Sequence, residues 1–169
     1  MTALPRIDHH VALRVSDLDA AISFWTDGVG GTLATSPATR GGGYFDLIFE
    51  PGCRVTYCYV LFEAGALELF EFVEPRKPLP TSSQSGDAIM HFGITVADVR
   101  EALRRVEEHG GRARAPVLHM FGREDAPRFV YCEDPDGHVF ELLETDNLGV
   151  VRLTLETAAQ AARRDTGQT

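Results

Sequence analysis

The sequence is short of paired cysteines and of long apolar runs. Its three cysteines (Cys53, Cys58 and Cys132) are an odd number without CxxC spacing, so we interpret them as small buried apolar residues. No apolar run approaches the roughly 20 residues of a membrane-spanning helix. The opening MTALPRIDHH lacks the apolar core of a signal peptide. We therefore expect a cytoplasmic protein with no membrane partner.

Positive charge is also scarce, with 16 Lys and Arg against 25 Asp and Glu, a formal net charge of −9. Nucleic-acid binding needs a basic face, so this balance argues against it. A small anionic ligand is compatible with this net charge, because the electrostatic potential of a pocket can differ in sign from that of the whole surface. The basic residues available for one are Arg14, Arg76, Lys77, Arg112, Arg114 and Arg123, most of them expected to be solvated charges.

The chain repeats itself. With His10 set against His91, an offset of 91 − 10 = 81, apolar positions and an aspartate recur in step, as in Asp17 and Asp98. A second block, ALELFE and VFELLE, matches Glu68 with Glu141 at an offset of 141 − 68 = 73. Two half-length modules, each opening on a histidine strand and closing on a glutamate strand, are the simplest explanation.

Each module is predicted to be a βαβββ unit, which makes the fold α+β. Alternating apolar residues indicate the first strand, Ser16 or Asp17 and then Asp98 open the helices, and glycines end them. We expect one domain over 1–149 and a C-terminal helix and frayed tail over 150–169, with the helix itself at 154–164. Within the domain, module one covers 7–74, a linker 75–87 and module two 88–146.

Strand parity selects the functional histidine of the pair. Val11, Leu13 and Val15 form the face that packs on the helix, so His10 points to the other face, while His9 is expected at the surface end of the strand. By the same rule, the side chains of Glu68, His91 and Glu141 point to the sheet face opposite the one that packs on the helices. Two carboxylates converging in a cleft need a cation, because an unpaired carboxylate costs several kcal/mol to desolvate.

Taken singly, each histidine is more simply a structural residue and each glutamate a solvated charge, but their recurrence in both modules favours a metal site. The mixed N/O set suits one divalent ion among Zn, Ni, Co, Fe and Mn.

Four stretches resemble the vicinal oxygen chelate superfamily, which includes glyoxalase I, methylmalonyl-CoA epimerase, extradiol dioxygenases and bleomycin-resistance proteins. They are HHVALRVSDLDAAISFW, ALELFEF, MHFGITVADVREAL and YCEDPDGHVFELLE, and the resemblance covers about residues 7 to 146. It implies paired βαβββ modules that form a cupped, mostly antiparallel sheet around a divalent metal. It also implies that His10, Glu68, His91 and Glu141 occupy the four ligand positions. Members commonly form dimers, and in some the two ligand pairs come from different chains, so a homodimer is expected.

The resemblance also implies a chemistry on a small-molecule substrate. Glu68 stands where glyoxalase-like enzymes carry a carboxylate, which favours a non-redox lyase, isomerase or epimerase. Glu141 or Glu68 would then be the base that removes a proton next to a carbonyl. Arg14 is expected to hold a substrate carboxylate, with an ion pair in the core as the alternative. Tyr131 and His119 are expected to line the pocket, with plain packing as the alternative.

Two other functions stay open. VYCEDPDGHVFE is similar to the end of the extradiol dioxygenase signature and includes Tyr131, but the histidine that this signature has upstream is missing. The drug-binding branch uses the cup without a metal, and its members typically lack the complete set of four ligands.

Overall fold

The structure, a computed structural model, describes residues 10–80 and 89–165. His9, the first residues of the expected opening strand and the linker from 81 to 87 lie outside this range. Within the described residues, no helix combines the length and the apolar character needed to cross a bilayer.

Module one begins with a strand and a helix whose boundary is set by Asp17. Its carboxylate accepts a hydrogen bond from the backbone N–H of Ala20 at 3.0 Å, which satisfies one of the free donors at a helix start. The helix ends in a π-helical turn, and Gly30 follows with φ of +101°, a backbone conformation that favours glycine. The elements are β1 (His10–Val15), α1 (Leu18–Ser23), the π-helical turn (Phe24–Gly28), β2 (Thr32–Leu33), β3 (Ala38–Gly41), α2 (Phe45–Ile48), β4 (Arg54–Phe62) and β5 (Gly65–Glu74).

Module two repeats the plan. The Asp98 carboxylate accepts from the N–H groups of Arg100 and Glu101 at 2.8 and 3.0 Å and so caps the helix start. The elements are β6 (Phe92–Thr95), α3 (Val99–Glu108), β7 (Arg112–Ala113), β8 (Leu118–His119), a 3-10 turn (Met120–Gly122), β9 (Arg128–Glu133), β10 (Val139–Leu143) and α4 (Asn147–Asp165). The helix expected over 154–164 is present and begins earlier, at Asn147.

The described strands form two five-stranded sheets of the same design. Sheet one has the order β1-β5-β4-β2 with β3 also paired to β4, and sheet two has the order β6-β10-β9-β7 with β8 also paired to β9. In each sheet the first and last strands of the module are parallel and the other pairs are antiparallel. The α+β class, the duplication and the mostly antiparallel pairing are thereby confirmed.

One hydrophobic core serves both modules. It contains the packing faces of both sheets together with α1 and α3. Trp25 lies at its centre, fully buried, with ring centroids 5.1 Å from Phe140 and 5.8 Å from Phe92 of the other module. Since both packing faces turn toward this core, the opposite face of each sheet looks away from it. We call these the open faces of sheets one and two.

The glycine-rich segment 39–52 covers part of the open face of sheet one. Its short helix α2 buries Phe45 in a second, smaller cluster with Val55 and Phe70. Phe49 adds an edge contact with Phe70 at 5.4 Å between ring centroids.

Candidate functional site

The strand register places one residue from each of three neighbouring strands in a row across each open face. In sheet one the row is Ala12, Glu68 and Tyr59, and in sheet two it is Gly93, Glu141 and Tyr131. His10 precedes Ala12 by two residues and His91 precedes Gly93 by two, so both histidines share their face with the glutamate of the row. The two modules therefore carry equivalent His–Glu pairs, as the parity of the sequence predicts.

The pair in module two is close and partly buried. His91 Nε2 lies 3.9 Å from Glu141 Oε2, with side chains 29% and 18% exposed. Burial raises the pKa of Glu141 above its ordinary value, and the neighbouring His91 only partly opposes that effect. Tyr131 Oη lies 3.5 Å from His91 Nε2, and burial, with the Glu141 charge, raises the pKa of this phenol. His91 Nδ1 is buried with no hydrogen-bond partner in the described part of the chain.

The pair in module one is arranged differently. The Tyr59 hydroxyl donates a hydrogen bond of 2.6 Å to Glu68 Oε1, and this bond is the main reason that the pKa of Tyr59 is raised to about 12. Glu68 is half-buried, whereas His10 is exposed at the first position of β1. The carboxylate of module one is thus held by a tyrosine from the neighbouring strand.

The four predicted ligands form two pairs on two sheets. No group of three or more His, Cys, Asp or Glu side chains within residues 10–80 and 89–165 is close enough together to hold a metal ion. The reason is the shared core, which turns the two open faces outward. The two His–Glu pairs of one chain therefore lie apart, and we call them the two candidate half-sites.

The residues of module two fit a divalent cation. Metal–nitrogen and metal–oxygen distances in proteins are about 2.0–2.2 Å, so one ion can contact both groups across a 3.9 Å gap. That gap is too long for a direct hydrogen bond. A cation would also compensate the buried Glu141 carboxylate, whose charged form burial disfavours.

Arg14 is engaged with the segment that follows module one. Its guanidinium donates to the carbonyl oxygens of Lys77 and, at 3.5 Å, of Pro78, and it stands over the Phe72 ring at 5.3 Å. These residues, with Arg76, also line a cavity of about 230 Å³. The contacts favour a structural role, and a substrate contact for Arg14 stays a prediction.

Tyr131 and His119 occupy opposite sides of sheet two in the strand register. Tyr131 pairs with Glu141, whereas His119 pairs with Arg128, the position of opposite parity on β9. His119 Nδ1 lies 2.9 Å from the carbonyl oxygen of Ala126. The register supports Tyr131 as a residue of the open face, while a substrate contact for His119 stays a prediction.

Tyr59 is the main residue beside the candidate ligands that the sequence analysis does not identify. The signal lies in the β4–β5 hairpin, where the short connection between Phe62 and Gly65 sets a register that places Tyr59 opposite Glu68. The alternation of apolar residues predicts which face of the sheet each residue occupies, but it does not predict that Tyr59 is the cross-strand partner of Glu68.

Comparisons with known proteins agree with this architecture. The Glyoxalase/Bleomycin resistance protein/Dioxygenase superfamily matches residues 7–142. The chain belongs to this superfamily, as the resemblance of its four motifs predicts.

Individual relatives are enzymes by name. The chain is 33% identical to a 2-epi-5-epi-valiolone epimerase of Actinomyces sp over 143 residues, 80% of this chain and 77% of that protein. It is 26% identical to a lactoylglutathione lyase of Salmonella typhimurium, covering 83% of this chain and 93% of that protein. Among solved structures, a glyoxalase family protein from Bacillus cereus superposes with a TM-score of 0.72 at 23% identity, covering 84% of this chain and 95% of that one, which shows the shared fold.

Proposed function

We propose that this chain is a cytoplasmic, divalent-metal-dependent lyase, isomerase or epimerase that removes a proton next to a carbonyl of a small substrate. The main support is the His91–Glu141 pair, which leaves a gap of metal-ligand size beside a carboxylate that burial destabilises. The enzymes among its relatives, a lyase and an epimerase, support the same reaction class.

The residues that would hold the ion are His91 and Glu141 of one half-site and His10 and Glu68 of the other. When bound, the ion would act as a Lewis acid for the substrate carbonyl and the enolate derived from it. Glu141 is the proposed base: the C–H bond breaks and its proton passes to a carboxylate oxygen. Glu68 is the second candidate base, but its hydrogen bond from Tyr59 favours a fixed ligand.

We also propose that the site is completed by a second copy of the chain, in a homodimer that joins sheet one of each protomer to sheet two of its partner. The outward direction of both open faces supports this arrangement, since a single chain leaves the two pairs apart. Ile89 and Met90, next to His91, are 75% and 52% exposed, and large apolar side chains in such positions favour a covered interface.

Elemental analysis of the purified protein tests the metal. The parent should contain a divalent ion in stoichiometric amount, and both Glu68→Ala and His91→Ala should lose it. A parent without metal even after reconstitution would indicate a metal-free binding protein instead. Incubation with the lyase and epimerase substrates of the relatives in D2O, followed by NMR, then tests for proton exchange next to the carbonyl without oxygen uptake.

Mixing two inactive variants tests the shared site. A His10→Ala homodimer and a His91→Ala homodimer each lack one ligand at both sites. A mixed dimer built across chains has one site with both defects and one intact site, so random exchange of subunits should restore about a quarter of the sites. A site built within one chain would regain no metal on mixing.

A further inference from the structure

An arginine extends the row of Gly93, Glu141 and Tyr131 on the open face of sheet two. The backbone N–H of Arg114 donates a hydrogen bond of 2.8 Å to the carbonyl oxygen of Tyr131. This bond lies just beyond the β7–β9 pairing of Arg112 with Glu133. Arg114 thus stands opposite Tyr131, which stands opposite Glu141. Residues opposite one another in antiparallel strands share a face.

Side-chain contacts agree with this placement. Arg114 Nη1 donates to Glu133 Oε1 at 2.5 Å, and Glu133 lies two residues after Tyr131 on β9, on the same face. The Tyr131 hydroxyl in turn lies 3.5 Å from His91 Nε2. Arg114 is therefore on the face of the candidate ligands, at the edge of the sheet.

The charges at this edge do not balance. The Glu133 side chain is only 9% exposed and forms ion pairs with two guanidinium groups, those of Arg112 and Arg114. Arg112 donates to the Glu133 carboxylate through both Nε and Nη2, so this pair of parallel donors is already engaged. The Arg112 side chain is 75% exposed. Arg114 makes one side-chain hydrogen bond among the described residues and is 32% exposed. These three side chains carry one excess positive charge, and Arg114 keeps side-chain N–H donors without a partner among the described residues.

We propose that Arg114, together with the Tyr131 hydroxyl, is the subsite that binds an anionic group of the substrate, a carboxylate or a phosphate. Guanidinium matches the planar or tetrahedral oxygens of such groups with two parallel hydrogen bonds. Neighbouring strands are about 4.8 Å apart, so Arg114 lies two spacings, about 10 Å, from the Glu141 backbone. This inference rests on the proposed function in taking the open face of sheet two as the substrate surface and a carbonyl as the reacting group. The substrate is a carbonyl compound with an anionic group a few bonds from the reacting carbon.

The test is a titration of the full-length protein as purified, with inorganic phosphate and with acetate at constant ionic strength, followed through the arginine Nε–H resonances by NMR. One resonance, absent in Arg114→Gln, should shift and saturate, and the preferred anion distinguishes a phosphate from a carboxylate. Anion affinity should fall at least about tenfold in Arg114→Gln, equivalent to about 1.4 kcal/mol. It should fall less in Arg114→Lys, which keeps the charge without the fork.

Arg112→Gln is the matched control, because it removes the other partner of the same Glu133 carboxylate. It should bind the anion within about twofold of the parent. If neither anion produces a saturable shift, or if Arg112→Gln loses as much affinity as Arg114→Gln, the subsite is refuted and Arg114 is a structural partner of Glu133. Because the readout is anion binding, its failure is distinct from a failure of the metal analysis.

Discussion

The two open faces carry the same row of residue types in different states. In module two, Glu141 is buried enough to raise its pKa, and Tyr131 contacts the histidine of its pair. In module one, the tyrosine instead donates to Glu68, and α2 covers part of the face. The same backbone register thus yields one carboxylate whose charged form is disfavoured by burial and one that is held by a hydrogen bond. Duplication fixes where the groups stand, and the neighbouring residues decide what each carboxylate can do.

The largest effect should come from exchanging the two carboxylates for amides. Glu141→Gln should lower the rate of substrate proton exchange by about 10²–10⁴, the range supplied by a positioned general base. Glu68→Gln, measured at saturating metal, should lower it less, because Tyr59 still holds an oxygen acceptor at that position. The check is deuterium incorporation from D2O by NMR. Equal losses in the two variants would mean that the half-sites are functionally equivalent.

A second contrast concerns the helix residues that face the shared core. Trp25 and Val106 stand at equivalent repeat positions (25 + 81 = 106) and both are fully buried, but Trp25 also contacts aromatic rings of the other module. Trp25→Ala should lower the free energy of unfolding by about 3–5 kcal/mol. Val106→Ala should lower it by about 2 kcal/mol, the value of the two methyl groups removed.

Urea unfolding measures both variants. Trp25→Phe is a control that keeps a ring in the cavity and removes the buried indole N–H, which has no hydrogen-bond partner within residues 10–80 and 89–165. The control should retain more than half of the stability lost in Trp25→Ala. Two separate unfolding transitions in Trp25→Ala would show that this side chain couples the modules. A loss no larger than that of Val106→Ala would contradict the view of Trp25 as the centre of a shared core.

The faces of the four candidate ligand residues were predictable because strand parity is a local property. The sequence itself shows that His10 has the opposite parity to Val11, Leu13 and Val15, and the internal repeat predicts the same face for His91. The relation between the two sheets was not predictable, because it depends on which distant side chains share a core. The position of Arg114 was hidden for another reason: β7 is a two-residue strand with no alternation to read.

A third contrast lies in the glutamates that cap the module helices. Glu71 accepts from the Leu18 N–H at 3.2 Å and from the exposed Arg76 at 3.3 Å. Glu144 accepts from the Val99 N–H at 3.1 Å and from Arg128 through its backbone N–H and its guanidinium. Burial acts to raise the pKa of Glu144, but the hydrogen bonds from Arg128 and Val99 outweigh it and lower the pKa below its ordinary value.

Glu144→Ala should therefore lower the free energy of unfolding by about 2–3 kcal/mol at pH 7, and Glu71→Ala by about 1 kcal/mol. A lowered pKa in the folded state gives stability that is present above the unfolded value, about 4.3, and is lost as pH falls through the folded value. The deficit of Glu144→Ala against the parent should accordingly shrink as the pH is lowered below about 4. A deficit that is independent of pH would assign the effect to packing.

The smallest contrast tests the tyrosines themselves. Tyr59→Phe removes a 2.6 Å hydrogen bond to a carboxylate and should lower the free energy of unfolding by about 1 kcal/mol. Tyr131→Phe removes only a 3.5 Å contact and should lower the free energy of unfolding by less than about 0.5 kcal/mol. Because the pKa of Tyr59 is raised to about 12, its contribution is complete below the unfolded value near 10 and is lost as pH rises through 12. Ultraviolet titration of tyrosinate should therefore show one group ionising near pH 12 that is missing in Tyr59→Phe and moves toward 10 in Glu68→Gln. If the late titration survives in Glu68→Gln, the hydrogen bond does not hold Glu68, and the two half-sites differ only in burial.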